Sequence, residues 1–101
     1  MVASSANRNV RTKEYKAYLA RLPERIRRLA DGAFQEFLKD PGSPGLALHD
    51  LQDNNRGQHR AGSKAVSVTL RYRAIYVVDG GDNVWYWIGS HSDYNIFTGR
   101  N

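Results

Sequence analysis

The sequence predicts an α+β domain, in which an N-terminal antiparallel helical hairpin packs on a small, twisted antiparallel β-sheet. Three observations lead to this fold class. Apolar residues recur with helical spacing through residues 15–38, and they alternate with polar residues from residue 65. The segment Asp79-Gly80-Gly81-Asp82 then has the composition of a hairpin turn. Helices grouped before strands favour an α+β arrangement.

The composition is that of one folded domain. The chain has 101 residues, of which 41% are hydrophobic and 25% are charged. It has no cysteine, which excludes disulfides, thiolate zinc sites and a thiol nucleophile. No apolar run approaches the roughly 18 residues of a membrane span, and the first nine residues lack the apolar region of a secretory signal. We expect a flexible lead-in over residues 1–10, a single domain over residues 11–101, and a cytoplasmic location.

Positive charge is concentrated in the first third of the chain. The net charge is +5, and residues 1–30 hold eight Arg or Lys against two Glu. A basic half on a small domain indicates a polyanionic partner, with nucleic acid as the first choice. A solvated helix face explains the charge equally well when it is considered alone.

Two helices are predicted before residue 41. Thr12 is a suitable N-cap for the first helix, and Pro23 ends it and can open the second. Asp40-Pro41 ends the second helix, because a residue before proline is disfavoured in the α region. Arg25, Arg27 and Arg28 fall outside the apolar stripe. That stripe comprises Tyr15, Tyr18, Leu19, Leu22, Ile26, Leu29, Ala30, Ala33, Phe34, Phe37 and Leu38.

The remaining elements are strands and loops. Residues 46–51 form a short possible strand, and residues 52–63 are polar and read as a long loop or a mobile hairpin tip. Residues 65–70 and 72–78 are two strands, with a tight turn favoured between them because a single strand would be unusually long. In the last strand, residues 83–89, alternation places Val84, Tyr86 and Ile88 opposite Trp85 and Trp87. We expect both tryptophans to be core residues beneath the helices.

Two motifs together resemble the RelE/ParE superfamily of bacterial toxins. They are Arg71-Tyr72-Arg73-Ala74-Ile75-Tyr76 and Ile88-Gly89-Ser90-His91-Ser92-Asp93-Tyr94, following the helices and a Pro44-Gly45-Leu46…His49 segment. The resemblance runs from about Arg11 to Asn95. It implies a compact toxin neutralised by a cognate antitoxin. Most members of the superfamily cleave messenger RNA at the ribosome, whereas the ParE branch poisons DNA gyrase.

His91 is the leading candidate for proton transfer in RNA cleavage. Imidazole titrates near neutrality, and this residue follows a predicted buried strand that could hold it in place. The resemblance agrees, since YafQ-type and YoeB-type toxins carry a functional histidine near this position. A structural histidine bonded to Asp93 or to the backbone is the alternative.

Arg71 and Arg73 are candidates for holding the scissile phosphate. At i and i+2 of a strand, their guanidinium groups would share one face and could bind the phosphate together. RelE-like toxins use an arginine in this region, but the resemblance does not decide whether Arg71 or Arg73 corresponds to it. The alternative is a pair of sheet-surface arginines bound to carboxylates.

His49 is the second titratable candidate, either as the base to the acid of His91 or as an ordinary strand residue. YafQ-type toxins have an important histidine near this motif, but their further histidine and aspartate fall at Ser67 and Arg71 here. The glutamate base of YoeB-type toxins has no clear counterpart. Lys64 resembles lysines that act on RNA in RelE, although a solvated strand-end lysine explains it better.

Tyr94 could stack on a nucleotide base or orient the phosphate, as a C-terminal aromatic does in related toxins. The basic helices, with Arg25 and Arg28, could contact ribosomal RNA. Three scattered histidines do not make a metal site, and we expect no cofactor. Two function classes remain. One is a metal-independent endoribonuclease toxin, and the other is a non-enzymatic ParE-like toxin that inhibits gyrase by binding.

Overall fold

A computed structural model describes residues 7–100 of the chain. The fold is α+β, as predicted, and none of the described helices has the length and apolar character needed to cross a membrane. The elements are β1 (Arg8–Arg11), α1 (Lys13–Ala20), α2 (Glu24–Lys39), a 3-10 turn (Pro44–Leu46), β2 (His49–Asp50), β3 (Lys64–Thr69), β4 (Tyr72–Asp79), β5 (Asp82–Ser90) and α3 (His91–Phe97).

The two predicted N-terminal helices are confirmed. The Thr12 hydroxyl accepts a 3.1 Å hydrogen bond from the Tyr15 N–H, so Thr12 is the N-cap of α1. Pro23 lies at the N-cap of α2, and Asp40 is its C-cap. The apolar stripe is narrower than predicted, because Leu29 and Leu38 at its margins are exposed.

The five-stranded sheet has the order β1-β5-β4-β3-β2 and is mixed. β1 is parallel to β5, and the other pairs are antiparallel. The prediction of a flexible lead-in is therefore wrong for residues 8–10; residues 1–6 of that prediction lie outside the described residues. The Asn9 side-chain oxygen accepts hydrogen bonds from the Trp85 indole N–H (3.0 Å) and the Asn83 amide (3.1 Å), which fix β1 to the sheet.

Both predicted hairpins are present. β3 and β4 are joined by a tight turn through Leu70 and Arg71. The turn between β4 and β5 contains Gly80 (φ 60°) and Gly81 (φ 84°). Two consecutive residues with positive φ are what a type I′ hairpin turn requires, and glycine adopts that conformation without steric cost.

A β-bulge in β5 separates the two tryptophans. Trp87 pairs with Ile75 and Trp85 pairs with Tyr76, so Tyr86 is an extra residue on β5. Trp85 (1% exposed) packs beneath α1 and α2, whereas Trp87 (4% exposed) belongs to the other core cluster with Tyr94. Both are core residues as predicted, but the prediction that they share the face beneath the helical hairpin is wrong for Trp87.

The second face of the sheet is covered by α3 and by the loop of residues 51–63. The N–H of Gln58 donates to the carbonyl of Phe97 (2.7 Å), and the Asn54 amide donates to the carbonyl of Thr98 (3.0 Å). The Tyr86 hydroxyl, on the bulge, accepts from the Arg60 N–H (2.8 Å). The loop has no regular structure, as predicted, but these bonds do not fit a mobile hairpin tip.

Candidate functional site

His91 is the first residue of α3 and lies directly after β5. Ser90 caps the helix, since its hydroxyl accepts from the Asp93 N–H (3.1 Å). The His91 backbone N–H donates to the carbonyl of Arg71 (2.7 Å). Its exposed ring has one long contact, 3.5 Å from Nδ1 to the Asn95 amide, and among residues 7–100 no hydrogen bond reaches Nε2. Nε2 is therefore free to exchange a proton with a bound molecule.

Tyr94 lies one turn further along α3 and contacts two histidines. Its ring centroid is 5.9 Å from that of His91, and its hydroxyl oxygen is 3.2 Å from Nε2 of His49. The side chain is only 2% exposed and packs in the same core cluster as Trp87. A buried ring face cannot receive a nucleotide base, so the stacking prediction for Tyr94 is wrong. Its position instead links His49 to His91.

The hydrogen bonds of His49 define its tautomer. Nδ1 is 3.0 Å from the carbonyl of Ala47, which can only accept, so Nδ1 carries the proton in the neutral ring. Nε2 then has the lone pair and accepts from the Tyr94 hydroxyl. His49 lies on the short edge strand β2 and is exposed. The imidazole is thus held by one bond at each nitrogen while it remains accessible.

Arg71 and His91 line one groove of about 410 Å³, together with the turn residue Leu70. Arg71 lies in the β3–β4 turn and is exposed. Arg73 is the second residue of β4, and its Nη1 donates to the carbonyls of Thr69, Leu70 and Tyr72 around that turn. The predicted pair of guanidinium groups on one strand face is therefore not present. Arg73 supports the turn, and Arg71 is the cation beside His91.

Lys64 and the arginines of α2 lie apart from this groove. The Lys64 ammonium pairs with Asp50 across β3 and β2, and this bond lowers the pKa of the Asp50 carboxyl. Arg25 and Arg28 are exposed on α2, whose apolar side packs on the face of the sheet that holds Trp85. Tyr94 lies with the other cluster. The helical arginines are therefore not part of the His49–Tyr94–His91 arrangement.

A second cavity adjoins His49. It has a volume of about 390 Å³, and its lining includes Arg56, His59 and Arg100. These three residues could not be singled out from the sequence, because isolated polar residues in a loop carry no spacing signal. Among residues 7–100, no group of three histidine or carboxylate side chains could hold a metal ion.

Comparison with known proteins gives a likeness of fold. No protein-family model matches the chain, and no curated protein matches it in sequence. The chain superposes on solved structures, including YafQ from E. coli strain BL21(DE3), at 11% identity and TM-score 0.68, over 88% of this chain and 98% of that one. The chain has the RelE/ParE toxin fold.

Two more structures support this assignment of the RelE/ParE toxin fold. A YoeB/ParE toxin from Agrobacterium tumefaciens matches with TM-score 0.62 and 16% identity, over 83% of this chain and 98% of that chain. The RelB–RelE antitoxin–toxin complex from Methanococcus jannaschii matches with TM-score 0.55 and 19% identity, over 87% of this chain and 98% of that chain. The fold implied by the sequence resemblance is confirmed.

Proposed function

We propose that this protein is the toxin of a toxin–antitoxin pair and a metal-independent endoribonuclease that cleaves messenger RNA at the ribosome. The observation that carries the proposal is the contact of Tyr94 with both histidines. Its ring lies against His91, and its hydroxyl bonds to Nε2 of His49. Two imidazoles, the side chains most often used as general acid or base, are thus positioned around one buried residue.

Cleavage by the 2′-OH of the substrate needs no metal ion. The 2′-oxygen forms a bond to the adjacent phosphorus and loses its proton to a base, while the bond from phosphorus to the 5′-oxygen breaks. An acid then protonates the departing 5′-oxygen, leaving a 2′,3′-cyclic phosphate and a 5′-OH. Nε2 of His91 is free to give or take one of these protons. His49 handles the other through Nε2, once a substrate oxygen replaces the Tyr94 hydroxyl as its partner.

Arg71 supplies the positive charge that this reaction requires. Negative charge accumulates on the phosphate oxygens as the 2′-oxygen attacks, and a fixed guanidinium beside them lowers the barrier. Arg71 lines the same groove as His91, and no described carboxylate lies within ion-pair distance of it. The exposed arginines of α2, Arg25 and Arg28, would contact ribosomal RNA through the outer face of the protein.

The partners follow from the same proposal. Two of the superposed structures are described as toxin–antitoxin complexes, from Methanococcus jannaschii and from Mycobacterium tuberculosis. A cognate antitoxin protein would neutralise the net charge of +5 and block the groove. Messenger RNA and the ribosome would be the targets, in the cytoplasm, with no cofactor.

Induced expression followed by primer extension on cellular transcripts tests the proposal. The wild-type chain should give cuts in phase with codons, and His91→Ala and His49→Ala should each weaken them strongly. Gln35→Ala, at an exposed position on α2, is the matched control, and this variant should give the same cuts as the wild type. Intact transcripts together with double-strand breaks in DNA would contradict the proposal and favour a gyrase-binding toxin.

A further inference from the structure

The cavity next to His49 carries more positive charge than its neighbours can neutralise. Among its lining residues are Arg56, Arg100 and one carboxylate, Asp50. Asp50 is paired with Lys64. The other ion pairs found among residues 7–100 are Arg8–Asp82 and Arg60–Asp79. Within residues 7–100, neither Arg56 nor Arg100 therefore has a carboxylate partner, which leaves both guanidinium groups able to bind an anion.

Side-chain and backbone bonds fix the two segments that carry these arginines. The Asn54 side-chain oxygen accepts from the backbone N–H groups of Arg56 (2.9 Å) and Gly57 (2.6 Å), and its amide donates to the carbonyl of Thr98 (3.0 Å). The Arg100 N–H donates to the carbonyl of Asn95 (2.8 Å), which ties it to α3. The backbone of both segments is therefore ordered before an anion binds, and only the two arginine side chains remain to be ordered.

Close packing of two glycines strengthens this frame. Gly99 adopts φ 73°, and a Cβ atom there would lie 2.6 Å from the backbone nitrogen of Gly57. A Cβ atom on Gly57 would lie 2.7 Å from the carbonyl group of Thr98 and from Nδ1 of His59. Nδ1 of His59 is buried and has no hydrogen-bond partner among residues 7–100, and Nε2 bonds to the carbonyl of Gln52 (2.9 Å). His59 thus forms a wall of the cavity.

We infer that this cavity binds a backbone phosphate of the RNA substrate, next to the scissile one, through Arg56 and Arg100. The inference rests on the proposed function, because His49 belongs both to the cavity lining and to the pair with Tyr94. A nucleotide chain that reacts beside His49 would place its neighbouring phosphate in this cavity. A planar guanidinium can bind two oxygens of one phosphate, so two arginines suit one such group.

Binding of an uncleavable oligonucleotide tests the inference. The probe is a short fluorescent RNA in which every 2′-OH is replaced by 2′-O-methyl, so that it binds but lacks the attacking hydroxyl. Its affinity is measured by anisotropy over a range of salt concentrations for the wild type and for Arg56→Ala/Arg100→Ala. The control is Lys13→Ala/Lys16→Ala, which removes the same charge from exposed positions on α1. Thermal unfolding confirms that each variant is folded.

The arginine variant should bind at least about tenfold more weakly, as expected for lost charged hydrogen bonds. The plot of log affinity against log salt concentration has a negative slope, and this slope should become shallower by about 0.7, the value for one phosphate contact on a single strand. The lysine control should change both quantities much less. Equal losses in the two double variants would overturn the inference, as would failure of the wild type to bind the probe.

Cleavage of the matching unmodified RNA, presented as messenger RNA on translating ribosomes, separates this inference from the proposed function. If the wild type binds the probe through the two arginines but does not cleave RNA, the cavity assignment stands and the catalytic proposal fails. If the wild type cleaves and the arginine variant binds like the control, the cavity assignment fails and the catalytic proposal stands.

Discussion

The backbone N–H of His91 donates a 2.7 Å hydrogen bond to the carbonyl of Arg71. This bond joins the β3–β4 turn to the first residue of α3, and so it brings together two candidates that lie twenty positions apart in the sequence. Because only backbone atoms take part, either side chain can be replaced without breaking the connection. Substitution of either side chain should therefore change the activity of the site without disturbing the fold.

Arg71 and Arg73 should respond differently to substitution. Arg71→Ala should lower the single-turnover rate of RNA cleavage by about 10²–10³, the cost of losing one stabilising donor. It should change the free energy of unfolding by no more than about 0.5 kcal/mol, because the side chain is exposed. Arg73→Ala removes the donor to three turn carbonyls and should cost about 1–3 kcal/mol in urea unfolding. Full stability with lost cleavage in Arg73→Ala would instead place that guanidinium on the substrate.

Tyr94→Phe isolates the hydroxyl that bonds to His49. The ring and its packing remain, so we expect a stability loss of about 0.5–1.5 kcal/mol, typical of one hydrogen bond. The single-turnover rate should fall about tenfold in the wild-type background and hardly at all in His49→Ala, because the two groups act as a unit. Tyr18→Phe is the matched control. Rate losses from Tyr94→Phe and His49→Ala that multiply would contradict the coupling.

Two glycine-to-alanine substitutions should have opposite effects on stability. Gly57→Ala places a Cβ atom 2.7 Å from the carbonyl group of Thr98, and overpacking of this kind costs about 1–3 kcal/mol. Gly32→Ala, on the exposed side of α2 with no atom within 4 Å of the new Cβ, should stabilise by about 0.5–1 kcal/mol. Urea unfolding measures both. An unchanged stability in Gly57→Ala would show that the loop does not press against Thr98.

The two N-terminal helices and the β4–β5 hairpin follow from local residue patterns. The helical spacing through residue 38 and the Asp79–Asp82 turn are short-range signals, and both are confirmed. β1 could not be found in this way, because Arg8–Arg11 is a polar edge strand whose partner lies more than 70 positions away. The faces of Trp85 and Trp87 were predicted from strict alternation, which fails wherever a bulge inserts one residue.

The candidate site was predictable in its histidines but not in its geometry. His49, His91 and Arg71 are reactive residue types in motifs, so the sequence alone could single them out. The sequence patterns do not predict α3, and without it Tyr94 would follow the last strand in an exposed segment. In the structure, α3 directs the Tyr94 ring into the core. Its cap signal, Ser90 followed by Asp93, was present in the sequence. The partners of Arg73 are carbonyls of its own turn, and no residue pattern reports such contacts.

Tyr15 should make the protein sensitive to alkaline pH. Burial raises the pKa of its hydroxyl to about 12. In the unfolded chain a tyrosine has a pKa of about 10, so between these two pH values only the unfolded state loses the proton. The stability that the buried hydroxyl contributes is complete below pH 10 and is lost as the pH rises toward 12, by roughly 1–3 kcal/mol in total.

Urea unfolding at pH 8, 10 and 11 should therefore show a shallower decline in the free energy of unfolding for Tyr15→Phe than for the wild type. Tyr18→Phe, the same change at a half-buried position on α1, should follow the wild type. Parallel declines for Tyr15→Phe and the wild type would mean that the hydroxyl of Tyr15 is solvated in the folded protein.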